Sequence, residues 1–86
     1  MPRISSFYGI LIYMYLDDHN PPHFHAFYNE YKVLIGINDF AILVGSLPPK
    51  AHALVIEWAI AHHQELKKNW QNMVEGKPFD KIEPLK

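Results

Sequence analysis

The segment HFHAFYNEYKVLIGI, residues 23–37, consists of two runs rich in aromatic and β-branched residues on either side of Asn29-Glu30. Residues of these types favour strands, because their side chains pack well on a pleated surface. Asn tolerates a left-handed backbone, which suits a short hairpin turn. We therefore predict two antiparallel strands over residues 23–28 and 31–37, with the other strands added on either side of this hairpin.

Two further strands are predicted next to the hairpin. Residues 9–16 are apolar, β-branched and aromatic, and Pro21-Pro22 interrupts the chain before the hairpin begins. Asn38-Asp39 is a turn signal, and residues 40–44 are again mostly apolar. Consecutive strands with short connections usually pair as neighbours. The N-terminal half of the chain is therefore predicted to form a four-stranded antiparallel β-meander.

The hydrophobic period changes at residue 49, where a helix is predicted. Residues at helical spacing then share one face: Ala51, Val55, Trp58, His62, Leu66 and Met73. Pro48-Pro49 suits a helix start, and Gly76 followed by Pro78 suits its end. A helix of about 27 residues would be about 40 Å long, whereas a domain of this size has a radius of gyration of about 12–13 Å. The helix is therefore expected either to overhang the sheet or to break near His63-Gln64.

The fold class is accordingly predicted as α+β, with a four-stranded antiparallel β-meander followed by one long, or broken, C-terminal α-helix packed on one face. The 86 residues form a single domain, 1–86, with a thin core. Hydrophobic residues make up 49% of the chain and charged residues 20%, which fits a folded globular domain. The tail is expected to pack back in an extended form through Phe79, Ile82 and Leu85.

The charge balance argues against a strongly basic nucleic-acid-binding protein, and the lack of cysteine excludes chemistry that needs a thiol. The formal net charge is −1 and the pI is about 6.6, so the strongly basic footprint of a nucleic-acid-binding protein is missing. The absence of cysteine excludes disulfides, thiolate metal sites and cysteine nucleophiles. No signal-peptide pattern is present, and the apolar run GILIYMYL is far shorter than the roughly 20 residues that span a bilayer. A cytoplasmic location without membrane contact is expected.

The two faces of the predicted sheet are both largely apolar. In the first strand, alternation places Ile10, Ile12, Met14 and Leu16 opposite Leu11, Tyr13, Tyr15 and Asp17. In the second strand it places Phe24, Ala26 and Tyr28 opposite His23, His25 and Phe27. A single helix covers only one face, and an exposed apolar patch typically marks an interaction site. The predicted interaction surface consists of Tyr13, Tyr15, His23, His25 and Phe27.

The segment DDHNPPHFH, residues 17–25, contains three histidines and two aspartates. His23 and His25 are two apart on a predicted strand, so both rings point to the same side, roughly 7 Å apart. His19, Asp17 or Asp18 would complete a three-ligand set with an open position, as in catalytic zinc sites. The pattern thus indicates a candidate site for a divalent transition metal, zinc-like, although iron, nickel or manganese would also accept these ligands.

Two other interpretations of this segment remain open. His and Asp also stabilise turns and strand ends by bonding nearby backbone groups, and Pro21-Pro22 marks a tight corner, so the cluster can be structural or contact a partner. Acid–base catalysis without a metal is the other interpretation. Its candidate groups are His19, His23 and His25, with Asp17 or Asp18 orienting a ring. Lys32 would then hold a phosphate.

The histidines of the predicted helix are treated separately. His62 lies in the apolar stripe and is interpreted either as a packed core histidine or as a further metal ligand. The second interpretation requires the helix to cover the face that carries His23 and His25. His52 and His63 are expected at the surface. A base-stacking platform on the open sheet face is a weaker interpretation, because basic residues do not outnumber acidic ones.

Three segments of the chain resemble the bacterial domain-of-unknown-function 4160 family. They are ISSFYGILIYMYLDDHNPPHFHAFYNEY (4–31), ILVGSLPPKAHALVIEWAIAHHQELKKNW (42–70) and KIEPL (81–85). The resemblance implies a small standalone bacterial protein with no established activity. It also implies a gene next to that of a second small uncharacterised domain, in an arrangement similar to toxin–antitoxin or two-component regulatory pairs.

The positions characteristic of that family are Phe7, Tyr8, Gly9, Asp18, His19, Pro21, Pro22, His23, Phe24, His25, Tyr31, Gly45, Leu47, Pro48, Trp58 and Trp70. The chain departs from the resemblance at two places. Relatives commonly have glycine where this chain has Asn29, and they are more acidic around Gly36. The second difference weakens the transfer of a metal role to that strand.

Three hypotheses of function follow. The first is an interaction module that binds a small co-encoded protein, or a second copy of itself, through the uncovered sheet face. The second is a small metal-dependent or histidine-based nuclease or hydrolase that uses His19, His23 and His25. The third is direct nucleic-acid binding, which salt-dependent retention on an RNA or DNA column would reveal.

Overall fold

The computed structural model describes residues 3–16 and 19–86, which form an antiparallel sheet followed by two helices. The strands are β1 (Arg3–Phe7), β2 (Ile10–Tyr13), β3 (His23–Tyr28), β4 (Tyr31–Gly36) and β5 (Ile42–Ser46), and the helices are α1 (Pro49–Ala61) and α2 (His63–Val74). Each strand pairs with the next one along the chain. The predicted α+β class and antiparallel meander are confirmed. The predicted count of four strands and one helix is wrong, because residues 3–16 and 19–86 form five strands and two helices.

The additional strand arises from a turn inside the segment that was expected to begin a single strand. β1 and β2 are joined by Tyr8-Gly9, whose φ angles are 49° and 80°. Positive φ at both central residues is what a two-residue type I′ hairpin requires, and Phe7 pairs with Ile10 across it. The predicted strand 9–16 is therefore shorter than expected, since β2 ends at Tyr13.

The central hairpin forms as its sequence predicts. β3 pairs with β4 from Tyr28↔Tyr31 to His23↔Gly36, and Asn29 has a φ of 52°. The next strand is displaced by two residues from the predicted range 40–44. The backbone N–H of Gly36 donates to the carbonyl of Ala41 (2.8 Å), and this turn occupies the first residues of the predicted strand.

The helical region breaks into two helices at His62, one residue before the predicted position. His62 has φ −117° and ψ 29°, which ends α1 and begins α2. The break resolves the length problem, since an unbroken helix would extend beyond a domain whose radius of gyration is 11.7 Å. Pro49 stands in the first turn of α1, and Gly76 follows α2 with φ 73°, as expected for a helix start and end.

The core lies between the helices and the sheet face that carries Ile10, Ile12 and Met14, all of which are fully buried. Trp58 of α1 is at its centre, with ring centroids 5.4 Å from Phe7 and 5.8 Å from Phe24. The expectation that Leu16 shares this buried face is wrong, because β2 ends before it and its side chain is 65% exposed.

The C-terminal tail, residues 75–86, packs back on the domain without regular secondary structure, as expected. The N–H of Ile82 donates to the carbonyl of Ile4 in β1 (2.8 Å), and the indole N–H of Trp58 donates to the carbonyl of Glu83 (2.8 Å). Ile82 is buried, whereas Phe79 and Leu85 are half-buried. In the described part of the chain, neither helix combines the length and apolarity that a membrane span requires.

Candidate functional site

The helices leave one face of the sheet open, and this open face carries the side chains predicted as an interaction surface. Cross-strand pairs point to the same side of a sheet. The pairs Leu11↔Phe27 and Tyr13↔His25 place these side chains together, opposite the core pair Ile12↔Ala26. The five predicted side chains are defined here as the open-face cluster: Tyr13, Tyr15, His23, His25 and Phe27.

The rings of the open-face cluster contact one another in a continuous series. Phe27 meets Tyr13 edge-on (5.4 Å), Tyr13 stacks on Tyr15 (6.0 Å), and Tyr15 meets His25 edge-on (4.6 Å). The His25 ring lies 5.1 Å from that of His23. Aromatic pairs at these distances contribute about 0.5–1.5 kcal/mol each beyond their buried area. The cluster is therefore held in place by its own ring contacts.

His23 links this cluster to the helical layer. Its ring is 5.6 Å from that of Trp70 in α2, and the residue is only 7% exposed. Its Nδ1 lies 2.8 Å from the carbonyl oxygen of Pro21, so Nδ1–H donates to that carbonyl. The hydrogen bond fixes the tautomer and fastens the proline turn to β3. This geometry matches the structural interpretation of His23.

All three histidines of the DDHNPPHFH segment line one groove. Its other lining residues are Asn20 and Pro21 of the turn, Leu34 of β4, and Leu43 and Val44 of β5. The volume of the groove is about 460 Å³, within the ordinary range for ligand sites. It lies between the open-face cluster and β5, so it belongs to the same continuous surface.

Only some of the predicted metal ligands lie within the described residues. Within residues 3–16 and 19–86, no group of three or more His, Cys, Asp or Glu side chains is arranged to hold a metal ion. Asp17 and Asp18, which the metal and catalytic hypotheses require, lie outside the described residues. The metal hypothesis therefore stays a prediction.

The histidines of the helices do not join this groove. His62 packs against Trp58 on the core side, with its Nδ1 2.6 Å from a carboxylate oxygen of Glu65. Its interpretation as a further ligand required the helices to cover the face of His23 and His25, but they pack on the face of Ile10 and Ile12 and contact His23 through Trp70. The expectation that His52 and His63 lie at the surface is also wrong, because both are half-buried. The ring of His63 lies 5.1 Å from that of Phe40.

The exposure of β5 is not evident from the sequence. All five residues of β5 are exposed, including Ile42 (49%), Leu43 (40%) and Val44 (58%). A short continuous apolar run is typical of a buried strand, so nothing in the local pattern signals this exposure. The run itself was visible in the sequence, but its position at the edge of the sheet depends on the order of all five strands.

The fold and the site define a class: a small α+β domain with two helices on one face of an antiparallel sheet and an aromatic, histidine-bearing surface on the other. The model of the family described as "Domain of unknown function (DUF4160)" matches residues 9–71. The chain belongs to this family. No curated protein and no solved structure matches it. The matched range contains β2 to β5, α1 and most of α2, whereas β1 and the tail flank it and contact each other through Ile4 and Ile82.

Proposed function

We propose that this protein is an interaction module whose open-face cluster binds a small co-encoded protein, in a toxin–antitoxin-like or regulatory pair of the bacterial cytoplasm. The observation that supports the proposal is the continuous series of ring contacts on a sheet face that the helices leave uncovered. A second copy of the chain is an alternative occupant of the same surface.

The physical basis is the low cost of ordering these rings. Binding usually requires side chains to lose conformational freedom, and each immobilised flexible side chain costs about 0.5–1.5 kcal/mol. Tyr13, Tyr15 and Phe27 are half-buried and already confined by their neighbours. They offer rigid apolar area with little remaining freedom to lose, which is typical of residues that dominate binding energy. Arg3 and Lys32 pair with Tyr13 and Phe27 in register and add positive charge to the rim.

The test is calorimetric titration of the protein with the purified product of the neighbouring gene. Tyr13→Ala and Phe27→Ala are each expected to weaken binding at least about tenfold, as truncation of a central aromatic residue does. Tyr31→Ala is the matched control, because Tyr31 is exposed but pairs with Tyr28, on the face opposite to the cluster. Its effect should stay below about twofold. Failure of the wild-type protein to bind, or equal losses in all three variants, would contradict the proposal.

A second candidate function, a metal-dependent or histidine-based nuclease or hydrolase, is favoured by one observation: His19, His23 and His25 line the same groove. Native mass spectrometry of the untagged protein, with and without a chelator, tests it directly. Added mass of transition-metal size that the chelator removes would support metal binding by His19, His23, His25 and the neighbouring Asp17 or Asp18. Hydrolysis of a phosphodiester that survives the chelator and is lost in His25→Ala would support metal-free catalysis.

Nucleic-acid binding is a weaker alternative, which Lys32 and Arg3 beside the aromatic cluster favour. Retention on an RNA or DNA column that falls steeply with added salt would support it, because neutralised phosphates release counterions. Retention that does not depend on Lys32 and Arg3 would count against it.

A further inference from the structure

The two edge strands of the sheet, β1 and β5, differ in how their outer sides are protected. At the β1 edge, the tail donates a backbone hydrogen bond from Ile82 to the carbonyl of Ile4 (2.8 Å), as an additional strand would. At the β5 edge, no strand within the described residues pairs with the outer side, and all five residues of β5 are exposed. Exposed strand edges readily pair with another chain, so proteins usually protect them.

The β5 edge has little of the usual protection. Residues 40–49, FAILVGSLPP, contain no charged residue, and no proline falls inside Ile42–Ser46. One protective feature is present. The register with β4 shifts between Leu34 and Ile35, and Gly45 has a φ of 79°, so the strand is locally twisted. The edge is therefore open along a short apolar length rather than along a long flat one.

We propose that the β5 edge pairs with β5 of a second copy of this chain, antiparallel and about a two-fold axis, to form a ten-stranded sheet. An isologous interface brings each residue near its own counterpart, and an uncharged strand meets itself without like-charge repulsion. The tail covers the β1 edge and so blocks head-to-tail pairing of β1 with β5. The assembly therefore closes at two copies instead of growing into a fibre.

The area of this contact sets its strength. A standard interface buries about 800 Å² of each partner, which is about one-sixth of the 5144 Å² surface of this chain. A twisted five-residue strand buries less than that. The dimer is therefore weak and concentration-dependent, with a dissociation constant in the range of about 10 μM to 1 mM.

Pairing in this geometry has a consequence for the open face, and this consequence rests on the proposed function. The two-fold axis between antiparallel strands of one sheet is perpendicular to the sheet, so both open-face clusters lie on the same side. The grooves that contain Leu43 and Val44 flank the axis. The dimer thus presents two adjacent binding surfaces and binds the partner with a stoichiometry of two to two.

Sedimentation analysis from about 10 μM to about 1 mM protein tests the dimer without any partner. The wild-type protein is expected to dimerise as its concentration rises, and Val44→Lys should raise the dissociation constant at least about tenfold, because two lysines then face each other at the edge. Val74→Lys is the matched control, since Val74 is 64% exposed on α2. Ile42→Lys and its control Ile60→Lys repeat the comparison at a second position of similar exposure.

The lack of cysteine allows a second, geometric test. Full overlap of two β5 strands places Val44, the middle residue, opposite its counterpart, within reach of a disulfide. Val44→Cys should form a disulfide-linked dimer on oxidation, and Val74→Cys should not. A wild-type protein that stays monomeric throughout, or a dimer that Val44→Lys leaves unchanged, would overturn the inference. Partner titration of Ile42→Lys, whose position lies outside the groove, separates the two proposals, because binding that persists in the monomer leaves the proposed function standing.

Discussion

The side-chain amide of Asn69 in α2 forms a two-bond pair with the backbone of Asp80 in the tail. Its Nδ2–H donates to the Asp80 carbonyl (2.9 Å), and its Oδ1 accepts from the Asp80 N–H (2.8 Å). Asn69 is fully buried. A buried polar side chain is tolerated only when its donors and acceptors are matched, and here the tail supplies the match. The pair therefore fixes where the tail packs back against α2.

Asn69→Asp is expected to lower the free energy of unfolding by about 2–4 kcal/mol at pH 7, because a carboxylate oxygen would face the Asp80 carbonyl in a buried site. Burial raises the folded-state pKa of the new carboxyl, so the loss should be complete above that raised value and shrink as the pH falls through it toward the unfolded value of about 4. Urea denaturation at pH 7 and pH 4 measures this. Asn72→Asp is the control, and an equal loss in both variants would show that the Asp80 pair is unimportant.

Two glycines with similar backbone angles should respond very differently to alanine. Gly45 (φ 79°) would place a Cβ 2.1 Å from the carbonyl oxygen of Lys32, whereas Gly76 (φ 73°) would place it in open space. Gly76→Ala should cost about 1 kcal/mol, the conformational penalty alone. Gly45→Ala should cost at least about 2 kcal/mol more, because β4 and β5 must separate. Equal losses of stability in the two variants, measured by thermal or urea unfolding, would show that β4 and β5 separate without a cost in free energy.

Alanine variants of His23 and His19 test whether the histidine segment has a structural role or a catalytic one. His23→Ala removes the hydrogen bond to Pro21 and the contact with Trp70, so it should lower the free energy of unfolding by about 1–3 kcal/mol. His19 is exposed, and His19→Ala should change it by less than about 0.5 kcal/mol. If His23→Ala instead folds normally, its ring is not a structural support, and the catalytic interpretation becomes stronger.

The parts of the fold that could be predicted depend on local patterns. The β3–β4 hairpin combines two strand-forming runs with Asn29, which accepts the required left-handed backbone. The alternation in β2 and β3 assigned Tyr13, His25 and Phe27 to one face before any tertiary contact was known. The length of the helical region predicted that the helix either overhangs the sheet or breaks, and the structure has the break, at His62.

The parts that could not be predicted depend on tertiary neighbours. β1 contains Ser5 and Ser6, and the turn that defines it uses Tyr8 in a left-handed conformation that tyrosine rarely adopts. The exposure of β5 follows from the strand order, which no local window contains. The contact of His23 with Trp70 joins residues far apart in sequence. It decides that the His23 ring is buried, whereas spacing alone showed only which way it points.

The Glu75 carboxylate, at the end of α2, is expected to make a small contribution to the stability of the fold that is lost in acid. A hydrogen bond from Gln71 and then one from Lys77 lower the pKa of the Glu75 carboxyl from its ordinary value of 4.5. A carboxyl group whose folded-state pKa is lowered stabilises the fold above its unfolded-state pKa. This stabilisation is lost as the pH falls through the folded-state pKa. Glu75→Gln should therefore lower the melting temperature slightly at pH 7 and not at pH 3. An equal change at both pH values would exclude this origin.

Removal of the tail should convert the protected edge of the sheet into a second open one. Truncation after Gly76 deletes Asp80, Ile82 and Glu83, and with them the hydrogen bond to Ile4. In a Val44→Lys background the β5 edge is blocked, so any new association must use β1. We expect this truncated variant to associate with rising concentration, whereas removal of residues 84–86 alone should not cause association, because it keeps the bond from Ile82. Sedimentation of both variants, with circular dichroism to verify folding, measures the difference. If the folded truncated variant stays monomeric, the tail is not what protects the β1 edge, and the closure of the dimer at two copies needs another cause.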